Sequence, residues 1–387
     1  MSILSRAFEH LEDVVCTVID RFRVTQAKVN GRYWLKHKKQ LRGYSCHCPP
    51  TQRIHLVHSE GLRECADVVV DFGSNVGSPV RRQVPVAALR KIAPEIGNAD
   101  IVHIKTDCLP LFLSEVLPHT GGPVVLVTGD SDYAPINDHL HLLDHPKIIH
   151  WFVQNCDWPG RHAKLTRIPI GVDNPKYTKL DKRLGFMLAT LGGRNRLELS
   201  FTRNDMGDQL CLQQVRDELK TAFAQKETRA MCTFHFNQKF IPNFREIPDR
   251  LLAYELLKDS PSCAFEKRRI PQVECWQMHD RFAFELSPHG KGLDCFRTWE
   301  ALALGCVPIV KASSLDPLYE DEAFPVVIVQ SFSEVTPENL KRWQHAHADA
   351  FGPDLLMKLS NGYWVERIKK TARVWRRDHG QQGAEAL

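Results

Sequence analysis

No stretch of this chain holds the roughly 20 consecutive apolar residues that cross a bilayer, so a membrane span is not expected. Acidic residues fall within the first turns (Glu9, Glu12, Asp13), which reads against an ordinary signal peptide. No repeat or low-complexity run breaks the sequence, and 43% hydrophobic with 25% charged residues is a globular composition. The twelve cysteines follow no regular framework, and several, such as Cys232 and Cys306, sit in apolar strand-like runs. That excludes a disulfide scaffold in favour of reduced thiols and a cytoplasmic protein. Cys46-His47-Cys48 supplies half a zinc site, but no convincing second pair follows it, so a loop before Pro49-Pro50 is expected. Two nucleotide signatures are missing as well. Asp71-Phe-Gly-Ser-Asn-Val-Gly-Ser78 lacks the Gly-x-Gly-x-x-Gly spacing of a dinucleotide fold, and Gly290-Lys-Gly292 lacks the upstream glycine and following Ser/Thr of a P-loop. Charge of one sign is scarce too: a net +5 over 387 residues suits anionic ligands such as diphosphates but indicates no nucleic acid. The short basic run Lys36 to Lys39 reads as solvated surface.

Short apolar runs alternating with helical patterns are what the chain does contain, the signature of mainly parallel sheets covered on both faces. Strands are expected at 54–58, 68–72, 101–105, 124–128, 148–154 and 165–170, with helices at 86–93 and 109–117. A polar stretch from Asp173 to Thr228, with Gly192-Gly193 and a helix near 208–223, reads as a bridge. Further strands are expected at 231–237, 282–286, 307–310 and 326–330, then helices at 338–347 and 354–375. Two Rossmann-like α/β domains facing across a cleft follow: 1–175 on the acceptor side, 176–228 bridging, 229–350 binding the donor, and 351–387 returning as helix to the first domain. In open α/β sheets the chemistry sits beyond the carboxyl ends of the strands.

The most informative segment reads Phe282-Ala-Phe-Glu-Leu-Ser-Pro-His-Gly-Lys-Gly-Leu-Asp-Cys-Phe-Arg-Thr-Trp-Glu-Ala-Leu-Ala-Leu-Gly-Cys-Val-Pro-Ile-Val310. It is a strand, a loop, a helix and a strand. Gly290 and Gly292 flank Lys291 and allow close backbone approach. Asp294 is placed as the helix N-cap and Gly305 as its end. Free N–H groups, a positive dipole end and a lysine converge there, which makes an anion site. The helix is apolar or small apart from Arg297, Thr298 and Glu300, so it is buried on most sides. Arg297 and Glu300 share a face. As a functional pair, Arg297 would neutralise a diphosphate and Glu300 would accept from ribose hydroxyls. As a structural pair, they would only neutralise each other.

This segment resembles the donor-binding region of exostosin-type glycosyltransferases: Ser-Pro-x-Gly-x-Gly, then Arg-x-x-Glu-Ala-Leu, then Gly-Cys-x-Pro-x-Val. The matching residues are Ser287, Pro288, Gly290, Gly292, Arg297, Glu300, Ala301, Leu302, Gly305, Cys306, Pro308 and Val310. Thr128-Gly-Asp-Ser-Asp-Tyr133, Trp151-Phe-Val-Gln-Asn-Cys156 and Ile168-Pro-Ile-Gly171 resemble exostosin-like proteins more distantly. The resemblance implies a GT-B fold, a nucleotide-diphosphate sugar donor with UDP favoured, a glycan or other hydroxyl acceptor, and inversion at the anomeric carbon. Retaining GT-B enzymes commonly carry a glutamate eight positions before the ribose-binding one, where this chain has Gly292. Ser287, His289, Lys291, Asp294 and Thr298 join the donor set. His289 and Lys291 depart from the family pattern, and so does the missing membrane anchor.

Other groups fall around this segment. Arg268, in Glu266-Lys-Arg-Arg269, could reach the diphosphate, and Asn237, after a strand, could touch phosphate or sugar; a solvated turn and a satisfied strand end are the respective alternatives. An inverting transfer needs a base from the first domain. Asp132 is the first choice and Asp130 the second, with Asp107, Asn155 and Asp157 also at carboxyl ends of strands, although loop aspartates are commonly turn-formers. Asp130-Ser-Asp132 resembles a metal-binding Asp-x-Asp, but it is remote from the donor segment, and Lys291 with Arg297 can take the leaving charge, so neither metal nor cofactor is expected. A nucleotide-dependent oxidoreductase or epimerase, and a non-catalytic sugar-binding protein on a transferase scaffold, are the alternatives. Oligomeric state is not legible.

Overall fold

The computed structural model describes residues 56–63, 65–70, 90–91, 93–172, 209–234, 249–266 and 272–379. Cys46-His47-Cys48, the Lys36 run, Asp71 to Ser78, Gly192-Gly193, Asn237 and Arg268 lie outside them.

Among the described residues, two parallel five-stranded sheets form the frame. The first holds β1 (Val68–Val70), β2 (Asp100–Lys105), β3 (Val124–Gly129), β4 (Ile148–Val153) and β5 (Leu165–Arg167), in that order across the sheet. The second holds β6 (Glu227–Cys232), β7 (Cys263–Phe265), β8 (Phe282–Leu286), β9 (Val307–Lys311) and β10 (Val327–Val329), ordered β10-β9-β8-β6-β7. Both sheets are covered on two faces, which is why β3 and β8 are buried along their whole length and read as continuous apolar runs. Glu285 is the lone charge in β8. In the second sheet the chain runs from β6 outward to β7, then crosses back to lay β8 on the other side of β6. That reversal is a topological switch point, and ligands bind beyond it.

The helices are α1 (Ser59–Arg63), α2 (Leu109–Glu115), α3 (Gln209–Glu218), α4 (Asp249–Leu257), α5 (Gln272–Gln277), α6 (Phe296–Ala303), α7 (Asp316–Asp321), α8 (Pro337–Ala346), α9 (Pro353–Lys358) and α10 (Asn361–His379). Thr336 caps α8 by accepting from the Asn339 N–H, with Pro337 at the first position. Trp364, Ile368 and Ala372, four residues apart, form the buried stripe of α10, which packs on β2, β3 and β4. The C-terminal helix therefore returns to the first sheet. The apolar core of that sheet also continues through Trp276, Trp299, Leu302, Tyr319 and Phe324 of the second half.

Three expectations are corrected. Of the strand expected at 54–58, the described residues 56–58 form no sheet strand: Leu56 and His58 make isolated antiparallel bridges to Ser360 and Gly171. The single helix expected at 354–375 is split, because the Leu359 carbonyl accepts from Val57 N–H and the Asn361 side chain accepts from His58 N–H. Short β7, with α4 and α5 around it, lay in a stretch where no elements were expected.

Gly171 sits where these chains meet, at φ +72°, with the place of a Cβ only 1.8 Å from the Val57 carbonyl oxygen. Gly171→Ala should cost at least about 2 kcal/mol, since the strain is in backbone that cannot yield like a side chain. Urea denaturation measures this, and an unchanged midpoint would refute it.

Candidate functional site

The segment after β8 lies at the switch point and reaches the carboxyl ends of β4 and β5 in the first sheet. Ser287 continues the strand, its N–H donating to the Ile309 carbonyl. Its hydroxyl is 2.9 Å from that of Thr298, and both residues are buried. These two expected donor contacts therefore hydrogen-bond each other and tie the loop to α6.

Asp294 is not the helix N-cap. Cys295 takes that position in extended geometry with no side-chain cap. The Asp294 carboxylate is buried and accepts from the N–H of Ile170 (2.9 Å), the N–H of Cys295 (2.8 Å) and the Trp299 indole (2.9 Å). The Ile170 bond comes from the other sheet, so Asp294 joins the halves rather than facing a donor. Burial pushes its pKa up to about 6, against the three donors, which lower it.

Asn155 completes the joint. Its Oδ1 accepts from the Asp294 N–H at 2.8 Å and its Nδ2 donates to the Ser131 carbonyl at 2.9 Å. A Cβ on Gly292 would stand 2.8 Å from Asn155 Oδ1, so only glycine lets the loop approach this closely. Asp157 accepts from the N–H groups of Ile136 and Asn137 and acts as a turn former.

Cations gather around the loop after β8. Arg297 does not pair with Glu300. Its Nε faces Glu285 Oε1 at 3.7 Å, its guanidinium lies 5.7 Å from the Phe234 ring, and its Nη1 is buried with no hydrogen-bond partner among the described residues. Glu300, buried, accepts from the Trp276 indole at 3.1 Å. Arg250, which the sequence reading missed, donates to the His289 carbonyl at 3.1 Å and lies against Gly290. Burial and then repulsion by Arg297 lower its pKa. His289 Nδ1 is 2.8 Å from Asp249, which also pairs with Lys311 at 2.8 Å. The hydrogen bond from His289 and then that from Lys311 hold Asp249 down at about 2, despite its burial. Glu285, also missed, is bonded to His279 and Thr233. A charge inside an otherwise apolar strand was its visible signal. Asp249 and Arg250 open a leucine-rich helix directly after Pro248, a helix-start signal that was available in the sequence.

The carboxylates expected on the acceptor side come together after β2 and β3. Asp132 is exposed, yet the protein mass around its carboxyl raises its pKa. Lys291 opposes that rise, Asp107 adds to it and Lys105 opposes it. Lys291 of the loop after β8 therefore acts electrostatically on Asp132 of the opposite half. Lys105 lies 3.9 Å from Asp107. Asp130 has φ +58° and faces Arg63 at 3.8 Å. Among the described residues, no three His, Cys, Asp or Glu side chains are grouped to hold a metal ion, and no helix is long and apolar enough to cross a membrane.

No protein-family model and no curated protein matches the chain. Among solved structures it is similar to an alpha,alpha-trehalose 6-phosphate synthase from Burkholderia multivorans, at 10% identity over 78% of this chain and 76% of that one, with a TM-score of 0.38. A UDP-forming alpha,alpha-trehalose-phosphate synthase from Burkholderia xenovorans gives 9% identity over 74% and 77%, with a TM-score of 0.36. At TM-scores this low the likenesses assign neither substrate nor chemistry.

The two buried aspartates titrate in opposite senses. Asp294 rises from 3.8 to about 6, so the folded state holds a proton there that the unfolded chain has released. Its contribution to stability is full below pH 3.8 and is lost as pH rises through about 6. Asp249 falls from 3.8 to about 2, and its contribution is present above pH 3.8 and lost as pH falls through about 2. Between pH 4 and 6, Asp294→Asn should therefore remove a downward slope of stability with pH. Urea titrations at several pH values test this; an identical slope in the variant would exclude Asp294 as its source.

Proposed function

We propose that this chain is a glycosyltransferase that moves a sugar from a nucleoside-diphosphate donor, UDP-sugar favoured by the exostosin resemblance, to a hydroxyl acceptor with inversion. One observation carries the reading: two guanidiniums, Arg250 and Arg297, are crowded together beside a glycine loop at the switch point, and Arg297 keeps a buried N–H without a hydrogen-bond partner among the described residues. Like charges so confined are stabilised by a multiply charged anion, and a diphosphate fits that demand. Lys291 adds a third cation. Glu300, one turn beyond Arg297 on α6, suits ribose hydroxyls. Residues 229–350 form the donor half in this proposal and 1–175 the acceptor half.

In the proposed reaction the leaving diphosphate is neutralised by Arg250, Arg297 and Lys291, so the transfer needs no metal. Asp132 is the base. Its raised pKa and its electrostatic coupling to Lys291 support that role, because a carboxylate destabilised by its surroundings is a better proton acceptor. Asp130 and Asp107 are the neighbouring carboxylates.

Incubation with a panel of nucleotide sugars, scored by mass spectrometry for released nucleotide, tests the proposal; no release from any donor would sink it. Arg250→Ala and Arg297→Ala should each weaken nucleoside-diphosphate binding about 10- to 100-fold in calorimetry, the worth of a charge-assisted hydrogen bond. Unchanged affinity in folded variants would show that the cations are structural.

Asp132→Asn keeps size and hydrogen bonding but cannot take a proton. Turnover should fall about 10²–10⁴-fold with donor affinity unchanged. Because only the ionised carboxylate acts as base, kcat/KM of the parent should rise with pH through a pKa above 3.8, and the variant should lack that limb. Near-normal turnover in the variant, or a product with the donor's anomeric configuration by NMR, would remove Asp132 from this role.

A further inference from the structure

Behind the donor-side cations lies a buried ion chain whose protons can be counted. His279 follows α5 and is buried. Its Nδ1 is 3.1 Å from the Cys275 carbonyl oxygen and 3.0 Å from that of Trp276. Carbonyl oxygens only accept, so Nδ1 carries a hydrogen. Its Nε2 is 2.8 Å from Glu285 Oε2, and a second hydrogen must lie on that line. The other carboxyl oxygen, Oε1, accepts from the Thr233 hydroxyl at 3.0 Å and faces Arg297 Nε at 3.7 Å. A donor and a cation on Oε1 stabilise the ionised carboxylate, which leaves the second hydrogen on Nε2 and makes the ring an imidazolium.

We propose that His279 is a positioning residue that carries a fixed positive charge: it neutralises Glu285, so that Glu285 orients Arg297 without cancelling the charge Arg297 offers to an anion. The proposal rests on the nucleoside-diphosphate site argued above. With His279 charged, the group His279–Glu285–Arg297 has a net charge of +1. With a neutral side chain in its place the net charge is zero, and Arg297 becomes the sole counter-ion of Glu285. The Nη1 of Arg297, which has no hydrogen-bond partner among the described residues, is where the surplus positive charge is available. Both Glu285 and His279 are about 1% exposed, so water screens neither charge and the balance between them acts directly on Arg297.

The test is a double-mutant cycle on the full chain, with UDP and inorganic pyrophosphate as charged probes and uridine as a neutral one. His279→Gln keeps an N–H donor towards Glu285 but loses the charge. It should weaken UDP and pyrophosphate about 10-fold in calorimetry, the scale of one charge-assisted hydrogen bond, and leave uridine unchanged. Adding Glu285→Gln removes the charge that His279 neutralised, so the double variant should recover most of that loss. Parallel loss of uridine affinity, or a double variant weaker than the single one, would overturn the proposal in favour of simple packing. A second measurement does not depend on ligand. In selectively ¹⁵N-histidine-labelled parent protein, the His279 signals, assigned by their absence in His279→Gln, should show both ring nitrogens protonated; a neutral tautomer overturns the proposal. Parent protein that binds neither UDP nor pyrophosphate would sink the donor-site reading, and the ring shifts would still decide the charge of His279.

Discussion

The arrangement of the site depends on the burial of one carboxylate. Asp294 has lost nearly all contact with water, so each of its oxygens needs a donor from protein. Two donors come from its own segment, the Cys295 N–H and the Trp299 indole, and one comes from Ile170 at the end of β5 in the other sheet. Breaking the Ile170 bond would leave a buried charge under-satisfied, a penalty of about 1–3 kcal/mol or more. That penalty holds the loop after β8 against the first sheet, and everything on the loop is positioned by it. Asn155 makes the attachment two-pointed, since it accepts from the Asp294 N–H with one end and donates to the Ser131 carbonyl with the other. The backbone of the loop after β8 and that of the Asp130–Asp132 loop are thus linked through a single side chain.

The same joint explains how charges on separate sheets come to interact. Lys291 is two residues from Leu293 and three from Asp294, on the stretch that Asn155 holds, and Asp132 is next to Ser131, which Asn155 also holds. Their electrostatic coupling follows from that short path. Apolar packing reinforces it. Trp299, whose indole donates to Asp294, stacks edge-on to Phe324 at 5.2 Å and belongs to the core that runs on into the first sheet. The joint is therefore polar at its centre and apolar around it, which keeps water from competing for the Asp294 bonds.

Much of the frame was legible from apolar runs. β8 spans the residues expected of it, and β2, β3, β4 and β9 differ from expectation only at their ends, because a strand buried on both faces announces itself as an uninterrupted run. Three-residue β7 and six-residue α5 carry too few residues for a period to show. The break between α9 and α10 was invisible because its cause, the docking of residues 56–58, is more than 300 positions away. At the site, the glycine loop, Arg297 and Glu300 could be named from spacing alone, but their partners could not. Arg297 and Glu300 are one turn apart, yet each turns to a residue outside α6, Glu285 and Trp276, supplied by neighbouring elements. Helical spacing establishes who can meet along a helix and says nothing of what the rest of the fold brings to it.

The distinction that matters most was not available to sequence reasoning at all. Asp132, Asp157 and Asp294 are the same residue type, each in or beside a loop at the carboxyl end of a strand, and Ser287 and Thr298 looked as suited to a donor as Lys291. In the structure they separate by whether their polar atoms are already engaged. Asp157 accepts from two backbone N–H groups, Asp294 from three donors, and Ser287 and Thr298 bond each other. Groups satisfied in this way hold the fold, and a ligand could reach them only by breaking what positions the loop. Arg250 and Arg297 differ: the charge of Arg297 raises the cost of that on Arg250, and among the described residues Arg297 Nη1 finds no hydrogen-bond partner. Asp132 is held above its ordinary pKa, as Asp294 is, but it stands exposed where a ligand can reach it. Unrelieved electrostatic cost in a folded protein persists where something else supplies the relief. By that criterion the site narrows from the broad set that the sequence suggested to the few charged groups that carry such a cost and are not fully buried.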